Sequence, residues 1–97
     1  MKAPVNPITE QLGELPTQPG VYTFTDANDN IIYVGKAKNL RSRVRSYFST
    51  SNQSDFKVHL ISTKAANVDY IVTDSEQEAF LLENTLIKKN KPRYNVR

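Results

Sequence analysis

Two tyrosine–glycine signatures, Gly20-Val21-Tyr22 and Tyr33-Val34-Gly35, place their tyrosines 11 residues apart. Lys36 follows the second signature directly, and Arg43 and Tyr47 come after it at a helical i,i+4 spacing. Further on, Glu83 interrupts an otherwise apolar series, and Asn95 closes the segment Pro92-Arg93-Tyr94-Asn95. Phenols, a guanidinium, an ammonium and a lone carboxylate suit metal-assisted hydrolysis of a phosphodiester. That reaction needs an in-line nucleophile, positive charge at the phosphoryl oxygens and help for the departing 3′ oxygen.

The elements that must hold these groups are legible in outline. Asn6 with Pro7 opens a short helix whose Ile8, Leu12 and Leu15 share a face, and Pro16 and Pro19 end it. Val21–Thr25 and Ile31–Val34 are β-branched and aromatic runs around Asp26-Ala27-Asn28-Asp29-Asn30, a hairpin signal. If Asn28-Asp29 is a two-residue loop, Phe24 pairs with Tyr33 and Tyr22 with Gly35, so both tyrosines project from one face. A loop of odd length would separate them. Gly35 opposite Tyr22 would leave room for a ligand to approach.

Asn39 is the expected N-cap of a helix through about Phe48, with Leu40, Val44 and Phe48 as its buried stripe. Arg43 and Tyr47 stack along one edge of that helix. A polar stretch at Ser49–Ser54 precedes a helix capped by Ser54 and reaching about Ala66. Val68–Thr73 reads as a third strand. Ser75-Glu76-Gln77-Glu78 is a capping box opening a helix through about Asn90, and Pro92 begins an extended tail. The order is α-β-β-α-α-β-α.

In the last helix Ala79, Leu82, Leu86 and Ile87 follow helical spacing, and Glu83 falls inside that stripe. An unpaired buried carboxylate is costly, so such a residue takes either a metal or a cationic partner at the stripe's edge. Position alone leaves both open.

Composition narrows the classes. Ninety-seven residues make one small domain; the absence of cysteine rules out disulfides and thiolate zinc sites, and the single histidine, His59, rules out a multi-histidine centre. No signal peptide and no long apolar run is visible, so a soluble, cytoplasmic protein is expected. The net charge of +3 hides a segregation: Lys36–Arg45 and Lys88–Arg97 each carry five basic residues and no acid, while the remaining 77 residues carry a net −7. A basic face on an acidic body suits a polyphosphate backbone; a solvated helix face plus a basic tail is the plainer alternative.

Five blocks in order resemble the GIY-YIG nuclease domain of the UvrC type. They are Pro19-Gly20-Val21-Tyr22, Tyr33-Val34-Gly35-Lys36-Ala37-Lys38-Asn39-Leu40, Arg43-Val44-Arg45-Ser46-Tyr47-Phe48, Glu78–Asn84 with Leu86–Lys89, and Lys91-Pro92-Arg93-Tyr94-Asn95. Valine stands in both signatures where the family's name has isoleucine, a conservative change in a strand. The resemblance assigns residues 15–97 to the nuclease domain, with residues 1–14 as a lead-in carrying the short helix. The chain's stop just after the last block suggests a domain excised from a longer protein.

The resemblance implies an α+β fold, a small central three-stranded antiparallel sheet flanked by helices. It implies hydrolysis of one strand of damaged duplex DNA with one divalent cation, Mg²⁺ or Mn²⁺, by analogy the 3′ incision of nucleotide excision repair. It also implies UvrB as partner of the full-length protein, no membrane partner and a monomeric isolated domain. The family's functional positions match Tyr22, Tyr33, Lys36, Arg43, Tyr47, Glu83 and Asn95. Glu83 is then the one protein metal ligand, and Arg43 contacts non-bridging oxygens. Tyr33, or alternatively Tyr22, orients or deprotonates the attacking water. Tyr47 hydrogen-bonds phosphate or water, and Asn95 steadies the site from behind. Lys38, Arg41, Arg45, Lys88, Lys89 and Arg93 contribute sequence-independent affinity for the DNA backbone. Two other functions compete: a noncatalytic nucleic-acid-binding module with the same basic face, and a standalone nuclease of this family outside excision repair.

Overall fold

The computed structural model describes residues 7–49 and 54–95. Helix α1 (Pro7–Gln11) runs into a 3₁₀ turn at Leu12–Glu14. Strands β1 (Gly20–Thr25) and β2 (Ile31–Ala37) form the hairpin, followed by α2 (Leu40–Ser46), α3 (Phe56–Lys64), β3 (Asn67–Val72) and α4 (Glu76–Asn90). The three strands make one antiparallel sheet in the order β2-β1-β3, the α+β arrangement anticipated from sequence. Asn6 and most of the Ser49–Ser54 stretch lie outside the described residues.

The hairpin reaches the expected register by a different route. Phe24 pairs with Tyr33 and Tyr22 with Gly35, but Thr25 pairs with Ile31, so one extra residue sits on β2 between them. The loop is therefore five residues, Asp26–Asn30, and not the two-residue Asn28-Asp29 turn. Its Asp26 carboxylate accepts the N–H groups of Asn28 and Asn30, and Asp29 takes the left-handed conformation at φ 66°. Those two N–H groups, Asn30 first, with the charge of Arg93, hold the Asp26 carboxyl below its usual range. An odd loop alone would have put the tyrosines on opposite faces. The bulge adds a second odd step and restores the parity.

Caps decide the helix ends. Asn39 accepts the Ser42 N–H at 3.1 Å as expected, but α2 stops at Ser46, where Tyr47 and Phe48 donate to the carbonyls three residues back. Asp55, and not Ser54, caps α3, its carboxylate taking the Lys57 and Val58 N–H groups at the helix's positive end. That helix ends at Lys64, short of Ala66, because the Ala66 N–H is taken by Thr25 as β3 begins. Ser75 caps α4 through the Glu78 N–H, while Glu78 reaches back to the Asp74 N–H, one residue upstream of the usual partner. Beyond α4 the chain is not an extended tail. Lys91 turns left-handed at φ 44°, Pro92 is buried, and the Asn95 N–H closes a turn on the Pro92 carbonyl.

The sheet separates two apolar layers. Tyr22, Phe24 and Val68 meet Ile8, Leu15, Leu40, Val44, Tyr47 and Ile61 on one side. Val21 and Val34 meet Ala79, Leu82, Leu86 and Ile87 of α4 on the other. The lead-in helix is thus part of the principal core through Ile8.

A side-chain amide caps part of each sheet edge. On β2 the outward groups of Val34 are both taken by Asn95, which accepts the N–H at 2.8 Å and donates to the carbonyl at 2.9 Å. The Ile32 carbonyl accepts the Tyr94 N–H, and the Lys36 N–H is bonded by the Glu83 carboxylate. On β3, Gln11 does for Val68 what Asn95 does for Val34, at 3.1 and 3.2 Å. An amide in this position satisfies edge groups that would otherwise template another strand.

Candidate active site

Tyr22 is 1% exposed, and its ring lies across Gly35. A Cβ on Gly35 would overlap Cζ and Oη of Tyr22, so the space that the glycine leaves is filled by the tyrosine itself rather than by a ligand. The Tyr22 hydroxyl meets the Tyr47 hydroxyl at 2.9 Å and accepts from Arg43 Nε at 3.3 Å. Arg43 also lies over the Tyr47 ring, 5.4 Å from its centroid. Tyr33 completes the group, its ring 6.3 Å from Tyr22 and 6.2 Å from Tyr47.

This clustering follows from local rules. Register places Tyr22 and Tyr33 on one sheet face, and the i,i+4 spacing in α2 and the turn after it aims Arg43 and Tyr47 at that face. Burial raises the Tyr22 phenol's proton affinity, against the lowering effect of the Tyr47 hydrogen bond and the Arg43 charge. Burial likewise pushes the Tyr47 phenol up, helped by its neighbour Tyr22. Both therefore stay protonated at neutral pH. Burial alone would weaken the Arg43 guanidinium's hold on its proton, but the surrounding tyrosine oxygens more than reverse this.

Gly35→Ala tests that packing. Tyr22 is fixed by Tyr47 and Arg43 and has no free volume to enter, so the added methyl is expected to cost about 2–3 kcal/mol, the upper range for overpacking. Urea unfolding measures it; a change below about 1 kcal/mol would show that the ring relocates freely.

Glu83 sits on the other side of β2's edge. It is half-buried on α4, and its carboxylate is held by the main-chain N–H of Lys36. Desolvation raises its proton affinity, while the charge and the N–H of Lys36 lower it less. Lys36 itself is exposed. Among the described residues no three His, Cys, Asp or Glu side chains gather to form a protein-only metal cage. A desolvated single carboxylate instead fits Mg²⁺, which keeps several waters and needs only one or two carboxylates.

A cleft of about 450 Å³ lies between Lys36 and Arg43, lined also by Lys38, Asn39, Ser42 and Glu76; Glu83 and the three tyrosines are not in its lining. Of the predicted backbone-binding residues, Lys38 lines this cleft. Arg41 donates Nε to the Leu15 carbonyl at 2.8 Å, and Arg45 borders a separate hollow with Leu12 and Phe48. Lys88 and Lys89 are exposed at the C-terminal end of α4, and Arg93 is exposed with its charge acting on Asp26 of the hairpin loop. One neighbour was not foreseen: Lys57 of α3 places Nζ 5.3 Å from the Tyr33 ring centroid. Nothing local in the sequence marks it, because the contact spans 24 residues and depends on how α3 packs.

Residues 18–96 match the family described as the UvrC-like GIY-YIG domain. The chain belongs to that family. It is 54% identical over 89 residues to the UvrABC system protein C of Salinibacter ruber and 51% identical over 89 residues to that of Solibacter usitatus, alignments covering 92% of this chain. The chain spans about 14% of the length of these curated relatives. Among solved structures it is similar to the GIY-YIG N-terminal endonuclease domain of UvrC from Thermotoga maritima bound to its catalytic divalent cation, magnesium. The TM-score is 0.82 at 42% identity, covering 99% of this chain and all of that one. A point mutant of the same domain, also bound to its catalytic divalent cation, superposes with a TM-score of 0.84. The three-stranded antiparallel sheet with its flanking helices is thus the GIY-YIG endonuclease domain fold. Among the described residues no helix is long and apolar enough to cross a membrane.

Proposed function

We infer that this chain is a divalent-metal-dependent endonuclease domain that hydrolyses one strand of damaged duplex DNA, as the 3′ incision of excision repair. In the full-length protein it acts with UvrB; the domain itself is monomeric and cytoplasmic. The observation that carries this reading is Glu83: a desolvated carboxylate anchored by the Lys36 N–H, beside a cleft lined by Lys36 and Arg43.

Glu83 would hold the cation, Mg²⁺ or Mn²⁺, with waters in the remaining positions. Bound there, the cation supplies positive charge for the phosphoryl and departing 3′ oxygens. Arg43, steadied by Tyr22 and Tyr47, presents the rest of its planar fork to a non-bridging oxygen. Tyr22 and Tyr47, both held neutral by burial, fix Arg43, Tyr22 by accepting from Nε and Tyr47 by lying under the guanidinium, and Tyr47 lends its hydroxyl to a phosphate or water. Tyr33, the least enclosed of the three tyrosines, orients or deprotonates the attacking water. Asn95 holds β2's edge two residues from the Lys36 N–H and so steadies Glu83 from behind. Lys36 and Lys38 guide the backbone into the cleft, with Arg45, Lys88, Lys89 and Arg93 adding long-range attraction. Arg41, with Nε committed to Leu15, contributes through its remaining donors.

The test is single-turnover nicking of UvrB-bound damaged duplex with Mg²⁺ and without it. Wild type is expected to cut only with the metal, Tyr33→Phe to lose cutting and Tyr22→Phe to be impaired. Binding without metal-dependent cutting would instead identify a noncatalytic module. Near-normal activity in both phenylalanine variants would refute tyrosine-assisted hydrolysis.

A further inference from the structure

The two edges of the sheet are not equally closed. Because Asn95 takes both polar groups of Val34, that residue faces away from β1, and the antiparallel alternation turns Tyr22 and Phe24 toward β2. Val21 and Thr23 then face β3, where they pair with Ile71 and Asp69. The bonds from Thr73 N–H to Pro19 and from Ala66 N–H to Thr25 continue that inward set. On β3, therefore, Val68, Tyr70 and Val72 direct their main-chain groups outward. Gln11 satisfies Val68. The outward groups of Tyr70 and Val72 have no partner among the described residues.

The side chains of this open stretch are large, apolar and in water: Tyr70 is 45% exposed, Ile71 49% and Val72 41%. A solvent-facing edge is ordinarily blunted by lysine, proline or a covering loop. Here no lysine or proline is present, and the covering stops at Val68. The charges nearest this stretch along the chain are acidic: Asp69 precedes it and Asp74 follows it, both exposed, with no basic residue between Ala65 and Ile87. Glu10, on the α1 helix that packs beside β3, is exposed too.

We propose that the Tyr70–Val72 edge of β3 is a docking site for an extended peptide segment that alternates apolar and basic residues and adds to the sheet as a fourth strand. The outward N–H and C=O groups of Tyr70 and Val72 supply the ladder. Tyr70 and Val72 present side chains on the Tyr22 face and Ile71 on the Val21 face, so alternate apolar residues of the peptide have partners on either side. Acidic residues around the edge select a basic strand and disfavour nucleic acid. They also disfavour a second copy of this chain, whose own β3 would bring Asp69 and Asp74 against the same charges. The site is separate from the cleft bearing Lys36 and Arg43, and it stands whether or not that cleft cuts DNA.

The probe is a short peptide of alternating valine and lysine, titrated into the nitrogen-15-labelled chain. The amides of Tyr70 and Val72 are expected to shift and to become protected from hydrogen exchange, while those of Val34 and Lys36 do not change. Glutamate in place of the peptide's lysines is expected to abolish binding. Methylating the peptide nitrogens on the side facing β3 is expected to weaken it at least about tenfold, as lost ladder bonds require. Methylating the opposite side is expected to leave binding unchanged. Equal binding of the acidic peptide, or insensitivity to which nitrogens are methylated, would overturn the proposal. So would peptide-free protection of Tyr70 and Val72 that grows with protein concentration, which would make the occupant a second copy.

Discussion

Glu83→Gln is expected to remove metal-dependent cleavage while leaving the domain folded. The amide keeps the volume of the side chain and an oxygen that can still accept the Lys36 N–H, so α4 retains its seat on β2. It loses the anionic oxygen on which the proposed cation depends. Stability provides an internal control with a defined sign. The Glu83 carboxyl has a raised proton affinity in the folded protein, so its ionisation costs stability that grows as pH rises through the folded-state pKa. In metal-free buffer at neutral pH the variant is therefore expected to melt above wild type. The gap should close below about pH 4, where carboxyls are protonated even in the unfolded chain. Adding Mn²⁺ reverses the order, because only wild type gains binding energy. Calorimetric titration with Mn²⁺ and melts across pH measure both effects. Equal Mn²⁺ affinity in the two proteins would remove Glu83 from the metal site.

Arg43→Ala is expected to slow the cutting step by roughly 10²–10³, the scale for deleting one placed donor at a developing charge. DNA affinity should fall far less, since Lys36 and Lys38 line the same cleft and are proposed to share the ground-state phosphate contacts. The substitution also releases the Tyr22 hydroxyl from Nε and uncovers the Tyr47 ring. Arg43→Lys is the sharper companion: it keeps the charge but cannot bond Tyr22 and a phosphate oxygen in one plane, and it is expected to recover little of the rate. Single-turnover rates set against binding isotherms separate the two effects. An equal loss in affinity and rate would make Arg43 a docking residue only.

Much of this site was legible because its parts obey short-range rules. The i,i+4 relation of Arg43 and Tyr47 is fixed by helix geometry, and the Asn39 and Ser75 caps by their hydroxyl or amide chemistry. Glu83 stood out because a charge inside an apolar stripe has to be explained. What escaped depended on tertiary placement. The hairpin parity was right although the loop was wrong, because a bulge between Phe24 and Thr25 offset the longer turn. Gly35 was read as room for a ligand, when the cross-strand Tyr22 already occupies it. The tail was read as extended because Pro92 begins it, yet hydrogen bonds to Ile32 and Val34 fold it against a strand 61 positions away. Lys57 over Tyr33 has no sequence signal at all.

That long separation orders the events of synthesis. Every residue of the tyrosine cluster and Arg43 has been made once the chain reaches Tyr47, and the hairpin that presents two of the tyrosines is local. Glu83 and Asn95 arrive last, and they close the β2 edge across the largest loop in the domain, a slow step by chain topology. A growing chain, or one halted before Asn95, would carry the tyrosine–arginine half of the site without the carboxylate half, and with the Val34 edge of β2 uncapped.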